Sequence, residues 1–93
     1  GGISMKHVIL DGESILTRDD LHKALREGLA CPEWYGNNLD ALHDVLTDVR
    51  EKTVIGIVDL SIMEEHLGDY TVYLMRVLDD CVQENPHLRI LKS

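Results

Sequence analysis

Lys52-Thr53-Val54-Ile55-Gly56-Ile57-Val58-Asp59-Leu60 is the stretch whose reading decides the fold. Its Val and Ile residues occupy both parities of a two-residue period, as in a strand covered on both faces of a parallel sheet. It predicts a central strand. Upstream, Lys6 to Leu10 holds the β-branched pair Val8 and Ile9 and runs into the turn dipeptide Asp11-Gly12, which reads as a first strand. Downstream, His87 to Lys92 supplies a last short strand around Leu88 and Ile90. Between the first two strands, Thr17 caps a helix in which Leu21, Ala24, Leu25 and Leu29 recur at helical spacing, closed by Gly28 and Pro32. A second helix runs from about Leu39 to Val49, with Asn37 or Asn38 as its cap. After the central strand, Ser61 and Glu64 suggest a short capped helix ended by Gly68, and Asp69 starts another that reaches Glu84 before Asn85-Pro86 stops it. Connections of this length cross over a sheet, so the strands pair in parallel through right-handed crossovers. The fold class is α/β: a small three-stranded parallel sheet with about four helices.

Ninety-three residues at 10.5 kDa suit one domain, read here as residues 5–93, with Gly1 to Ser4 ahead of Met5 taken as an expression remnant. An apolar content of 44% argues against disorder. The longest strongly apolar run, Val54 to Val58, falls far short of the roughly 18 residues of a membrane-spanning helix. No basic start followed by an apolar stretch marks a secretory signal, and Cys31 and Cys81 show no zinc or redox spacing. A cytoplasmic setting is expected. The 17 acidic against 9 basic residues, a formal charge of −8, disfavour direct nucleic-acid binding and favour a cationic partner.

That charge is unevenly spread. From Glu27 to Val49 there is no Lys or Arg, while Glu27, Glu33, Asp40, Asp44 and Asp48 are all acidic. At about 100° of rotation per residue, Leu39, Leu42, Leu46 and Val49 share one side of the second helix and Asp40, Asp44 and Asp48 the other. Carboxylates at i, i+4 and i+8 repel one another, and a Lys at any neighbouring turn would have relieved the cost. A solvated outer face is the ordinary reading of such a ridge. Its unmixed sign instead points to a cationic partner.

The few aromatic residues gather at the same place. Of Trp34, Tyr35, Tyr70 and Tyr73, the first two stand side by side in the irregular stretch leading into the acidic helix. Either could serve the core, but Trp and Tyr also anchor protein interfaces. Beside Gly36 and two Asn, the pair reads as part of a contact loop.

The segment Pro32-Glu33-Trp34-Tyr35-Gly36-Asn37-Asn38-Leu39-Asp40-Ala41-Leu42-His43-Asp44-Val45-Leu46-Thr47, with Leu21-His22 to Leu29 before it, resembles the barstar family of intracellular ribonuclease inhibitors. The resemblance implies the fold already read and inhibition of a small basic ribonuclease, secreted or toxin-type, by occupation of its active site in imitation of RNA. It implies a monomer in a 1:1 complex and no cofactor or metal. The residues that would meet the enzyme are Trp34, Tyr35, Gly36, Asn38, Asp40, His43 and Asp44, with Asp80 on the last helix, or Asp79 beside it, as a further acidic contact. Asp44 matches the carboxylate that enters the phosphate site, where it can take paired hydrogen bonds as a phosphate would. Trp34 stands where the founding member carries Tyr, and His43 where it carries Trp.

Two other classes compete. Asp40, His43 and Asp44 form a possible acid and base pair or metal site, but no second His lies four residues away and no cysteine pair accompanies them. Nothing in the sequence joins Cys31 to His22 or His43 as a nucleophile. A non-inhibitory interaction or self-association module would leave the acidic helix facing water and show no ribonuclease binding at any salt.

Overall fold

In the computed structural model, which describes residues 5–93, the order is β1 (Met5–Asp11), α1 (Arg18–Leu29), α2 (Leu39–Thr47), β2 (Lys52–Val58), α3 (Leu60–Leu67), α4 (Asp69–Glu84) and β3 (Leu88–Lys92). The supposed remnant, residues 1–4, lies outside the described residues. The strands form one parallel sheet in the order β1-β2-β3, with Val8 paired to Ile55 and Ile55 to Ile90. The α/β class, the central place of β2 and the four helices are as the sequence leads one to expect.

Both crossovers step the same way across the sheet, and crossovers of one hand then lay their helices on one face. Burial follows that geometry. Val8, Leu10, Thr53, Ile55, Ile57 and Leu88 are buried, while Ile9, Val58 and Leu91 at alternate positions are exposed. The expected cover of β2 on both faces is therefore corrected: Val54 and Gly56 are only half-buried and Val58 looks outward. Val and Ile on both parities reflect strand propensity there, not two layers of helix.

Local chemistry sets the helix ends. Thr17 Oγ1 accepts from Asp20 N at 3.1 Å while the Asp20 carboxylate accepts from Thr17 N at 3.2 Å, a reciprocal box that starts α1. Its end differs from expectation, because Ala30 at φ 51° supplies the left-handed cap and Gly28 stays inside the helix. A Cβ on Gly28 would sit 2.7 Å from Val8 Cγ1, so the glycine serves close approach of α1 to β1. Likewise Ser61 does not cap α3. That helix begins at Leu60 behind Asp59, which has φ 55° and makes no side-chain cap bond.

Leu21 and Leu25 of α1, Leu42 and Leu46 of α2, Met63 of α3, and Leu74 and Leu78 of α4 are all fully buried in one core, with α2 and α3 packed on α4. Each such side chain contributes roughly 1.5–3 kcal/mol relative to exposure. Among the described residues, no helix is long and apolar enough to cross a membrane.

Candidate partner-binding surface

The stretch between α1 and α2 is built from two anchors with an exposed residue ahead of each. Tyr35 N donates to Pro32 O at 3.0 Å, closing a turn that sends the Tyr35 ring inward and leaves Trp34 61% exposed. The second anchor is Asn38. Its Oδ1 accepts from Ala41 N at 2.8 Å, capping α2, and its Nδ2 donates to Gly36 O at 3.3 Å. Asn37 adopts φ 53°, a left-handed turn that Asn tolerates better than most residues. Of the two candidate caps, Asn38 is the one used.

Tyr35 departs from its expected place in the contact loop. It is 5% exposed, with its hydroxyl 2.6 Å from His22 Nδ1, so its ring faces the core and its part is to hold the loop. On the far side of the imidazole, Nε2 lies 2.7 Å from the Tyr70 hydroxyl. A neutral imidazole donates to one hydroxyl and accepts from the other, which satisfies both nitrogens in a dry site. Burial lowers the His22 pKa; the Asp19 carboxylate opposes this and Arg26 adds to it. Burial likewise raises the Tyr35 and Tyr70 hydroxyls, with Cys31 a lesser contributor for Tyr35. Arg18 lies over the Tyr70 ring at 4.3 Å, closing this cluster from outside. His22 therefore joins α1, the loop and α4. The sequence shows it only as one polar residue in an apolar helical period.

On α2, Leu42, Val45 and Leu46 face the core, while Asp40 and Asp44 are exposed on the opposite side. Asp48 follows the helix as its C-cap residue and is exposed as well. None of the three carboxylates has a hydrogen bond or ion pair among the described residues. The ion pairs there are Lys6 with Glu51 at 3.2 Å and His43 with Glu84 at 3.5 Å. Trp34, Asp44, Thr47 and Asp48 line an open cleft of about 490 Å³ beside the loop. Thr47 turns its hydroxyl back to His43 O at 2.9 Å, leaving an aromatic ring and two carboxylates as the functional groups of that cleft. Such a site suits a cationic side chain.

Packing against α4 completes the surface. His43 reaches Glu84 across the helix pair, and Asp80 lies one turn from Glu84 on the same side of α4. Cys81, between them, points its thiol at His43 O at 3.9 Å. Burial pushes that thiol up to about 11, with Glu84 and Asp80 adding to the effect. The C-terminal end of α2 is held by a residue read from sequence only as part of a helix stop. Asn85 Nδ2 donates to Leu46 O and Val49 O, both at 2.8 Å, while its Oδ1 accepts from His87 N at 3.0 Å. Trp34, Gly36, Asn38, Asp40, His43, Asp44 and Asp80 thus lie along one loop and two packed helices. Glu84 and Asp48 join them, and Tyr35 sits beneath. Among the described residues, no three His, Cys, Asp or Glu side chains converge as metal ligands.

Comparison with known proteins gives this surface its context. Residues 5–91 match the family described as Barstar (barnase inhibitor). A protein of Bacillus subtilis (strain 168) named "Putative ribonuclease inhibitor YrdF" is 31% identical over 81 residues, which span 86% of this chain and 89% of that protein.

Proposed function

Because the chain belongs to the barstar family, we propose that it inhibits a small basic ribonuclease, seating α2 and the loop before it in the enzyme's active site. Asp44 takes the place of a substrate phosphate among the enzyme's cationic side chains, and Asp40 and Asp80 extend the negative field on either side. Trp34 packs on the rim of the enzyme's cleft, Gly36 and Asn38 present backbone and amide groups, and His43 lies between the two acidic rows. The enzyme is of the secreted or toxin type, the complex is 1:1, and the inhibitor acts in the cytoplasm without turnover of its own.

One observation carries this reading: Asp40, Asp44 and Asp48 stand exposed with no cation paired to them among the described residues, beside a Trp that the fold leaves outside. Unpaired like charges on one ridge cost stability in isolation, and a cationic partner relieves that cost. The test is a titration of barnase, the enzyme in the family's description, with this chain while RNA hydrolysis is followed. Stoichiometric loss of activity, with an association rate that falls as salt rises, is expected. Full hydrolysis in the presence of excess inhibitor at low salt would refute the barnase-like form of the proposal.

A further inference from the structure

The sheet has a second surface that inhibition does not use. On the face away from the helices, Ile9 on β1 and Leu91 on β3 are exposed on either side of Gly56, to which both are register partners. Gly56 leaves the middle of β2 bare, and the Ile9 side chain leans over it: a Cβ there would come 3.1 Å from Ile9 Cδ1. One row nearer the strand starts, His7, Val54 and Arg89 lie side by side, with Lys52 beyond them.

The charge of this face is opposite to that of the chain. Lys52 and Arg89 are exposed and have no hydrogen bond or ion pair among the described residues, in a protein of net charge −8. The one carboxylate on the same face, Asp11, is engaged with Glu13 N at 3.0 Å and Ser14 Oγ at 3.2 Å. A two-fold pairing of this face with itself would therefore oppose cations with no free carboxylate to meet them. An anionic membrane or a nucleic acid, as an extended polyanion, would meet the negative field of the whole molecule, whereas a short helix sets only a few carboxylates, directly over these cations.

What fits is the missing layer of the fold. Parallel sheets are ordinarily covered on both faces by helices. The distance from β1 to β3, two strand spacings or about 10 Å, matches the width of a helix. We propose that this face docks an amphipathic helix of a partner protein, its apolar stripe across the exposed Ile9 and Leu91 and its carboxylates over Lys52 and Arg89. The face lies on the side of the sheet opposite α2, so the partner and a ribonuclease can be held at once.

The probe is a synthetic helix of about 15 residues, ~22 Å long and so close to the length of β2, with a Leu stripe and Glu at the end meant for Lys52 and Arg89. A second peptide carries Lys in place of Glu. With the full chain labelled in ¹⁵N, the Glu peptide is expected to shift the amides of Ile9, Val54, Gly56 and Leu91 and to leave those of α2 unmoved. A K52E/R89E double variant should bind it about tenfold more weakly, and Leu91→Glu should weaken it with the charges intact. Circular dichroism of both variants verifies folding, which these exposed positions leave intact. Several results would overturn the proposal: no shifts at millimolar peptide, shifts centred on α2, or equal binding of the Lys peptide. So would sedimentation as a dimer that is lost in Leu91→Glu, or binding to phosphatidylglycerol vesicles that the double variant abolishes.

Discussion

His22 Nδ1 lies 2.6 Å from the Tyr35 hydroxyl, and this one contact fastens the loop carrying Trp34 to the first helix. Two neighbouring aromatic residues thereby take opposite parts. Removing the Tyr35 hydroxyl by Tyr35→Phe leaves a buried imidazole nitrogen unpaired and should cost about 1–3 kcal/mol in urea unfolding. Trp34→Ala should leave the unfolding midpoint nearly unchanged while speeding dissociation from a bound ribonuclease. A Trp34→Ala protein that unfolds as readily as Tyr35→Phe would reverse the assignment.

The same imidazole makes stability depend on pH in a defined direction. Burial holds the folded His22 pKa below its ordinary value of 6.5, so between the two values the unfolded chain binds a proton that the folded chain refuses. The stabilisation is complete above about 6.5 and declines as the pH falls toward the folded value. Urea midpoints measured downward from pH 7 should fall in this window. His22→Gln, although less stable throughout, should lose that part of the slope; an unchanged slope would place the effect in other groups.

Asp44 and Asp48 both line the cleft beside Trp34, yet they differ in support. Asp44 is held on a regular helical turn, while Asp48 sits at the end of α2, where the helix dipole disfavours a carboxylate. Asp44→Ala should weaken inhibition by about 3 kcal/mol or more, the loss expected when a buried ionic partner is removed. Asp48→Ala should cost much less. Inhibition constants of the two variants decide it, and equal losses would contradict the assignment of Asp44 to the phosphate site.

Asn85→Ala removes the donor shared by Leu46 O and Val49 O at the end of α2. Val49 O is then stranded while Leu46 O keeps only the backbone donors at the helix end, Val49 N at 3.4 Å among them, and a loss of about 1–3 kcal/mol in stability is expected. Binding should also weaken, because the acidic ridge would no longer be held against α4. Unchanged amide exchange along α2 in this variant would show that the cap has no such role.

The two thiols should differ in reactivity. Cys81 is fully buried with its pKa raised to about 11, while Cys31, also raised by burial, is only half-buried. Since the thiolate is the reacting form, iodoacetamide at pH 8 should modify Cys31 slowly and Cys81 only through unfolding. Equal labelling of both in the folded protein would contradict the burial of Cys81.

Most of the architecture was open to reading because its signals are local. The Thr17 cap with Asp19 and Asp20 behind it, an Asn cap at 37 or 38, the Asn85-Pro86 stop and the Val and Ile of β2 each act within a turn or a strand. Periodicity alone also set the acidic ridge of Asp40 and Asp44 opposite Leu42 and Leu46. Where local reading failed, a partner distant in sequence had prevailed. Gly28 reads as a terminator in sequence, although Val8 requires its missing Cβ within the helix. Tyr35 and Trp34 cannot be told apart by composition, and only His22, 13 residues away, decides which of them turns inward.

By itself the chain determined its class, its strand order and the acidic sign of the α2 ridge, because hydrophobic period, caps and charge are properties of neighbouring residues. Tertiary structure alone decided which face of the sheet stays open, how Asn85 closes α2, and that Asp48 shares a cleft with Trp34. Those outcomes depend on groups brought together through crossovers, and the closing of such long loops leaves no mark at the spacing of a single turn.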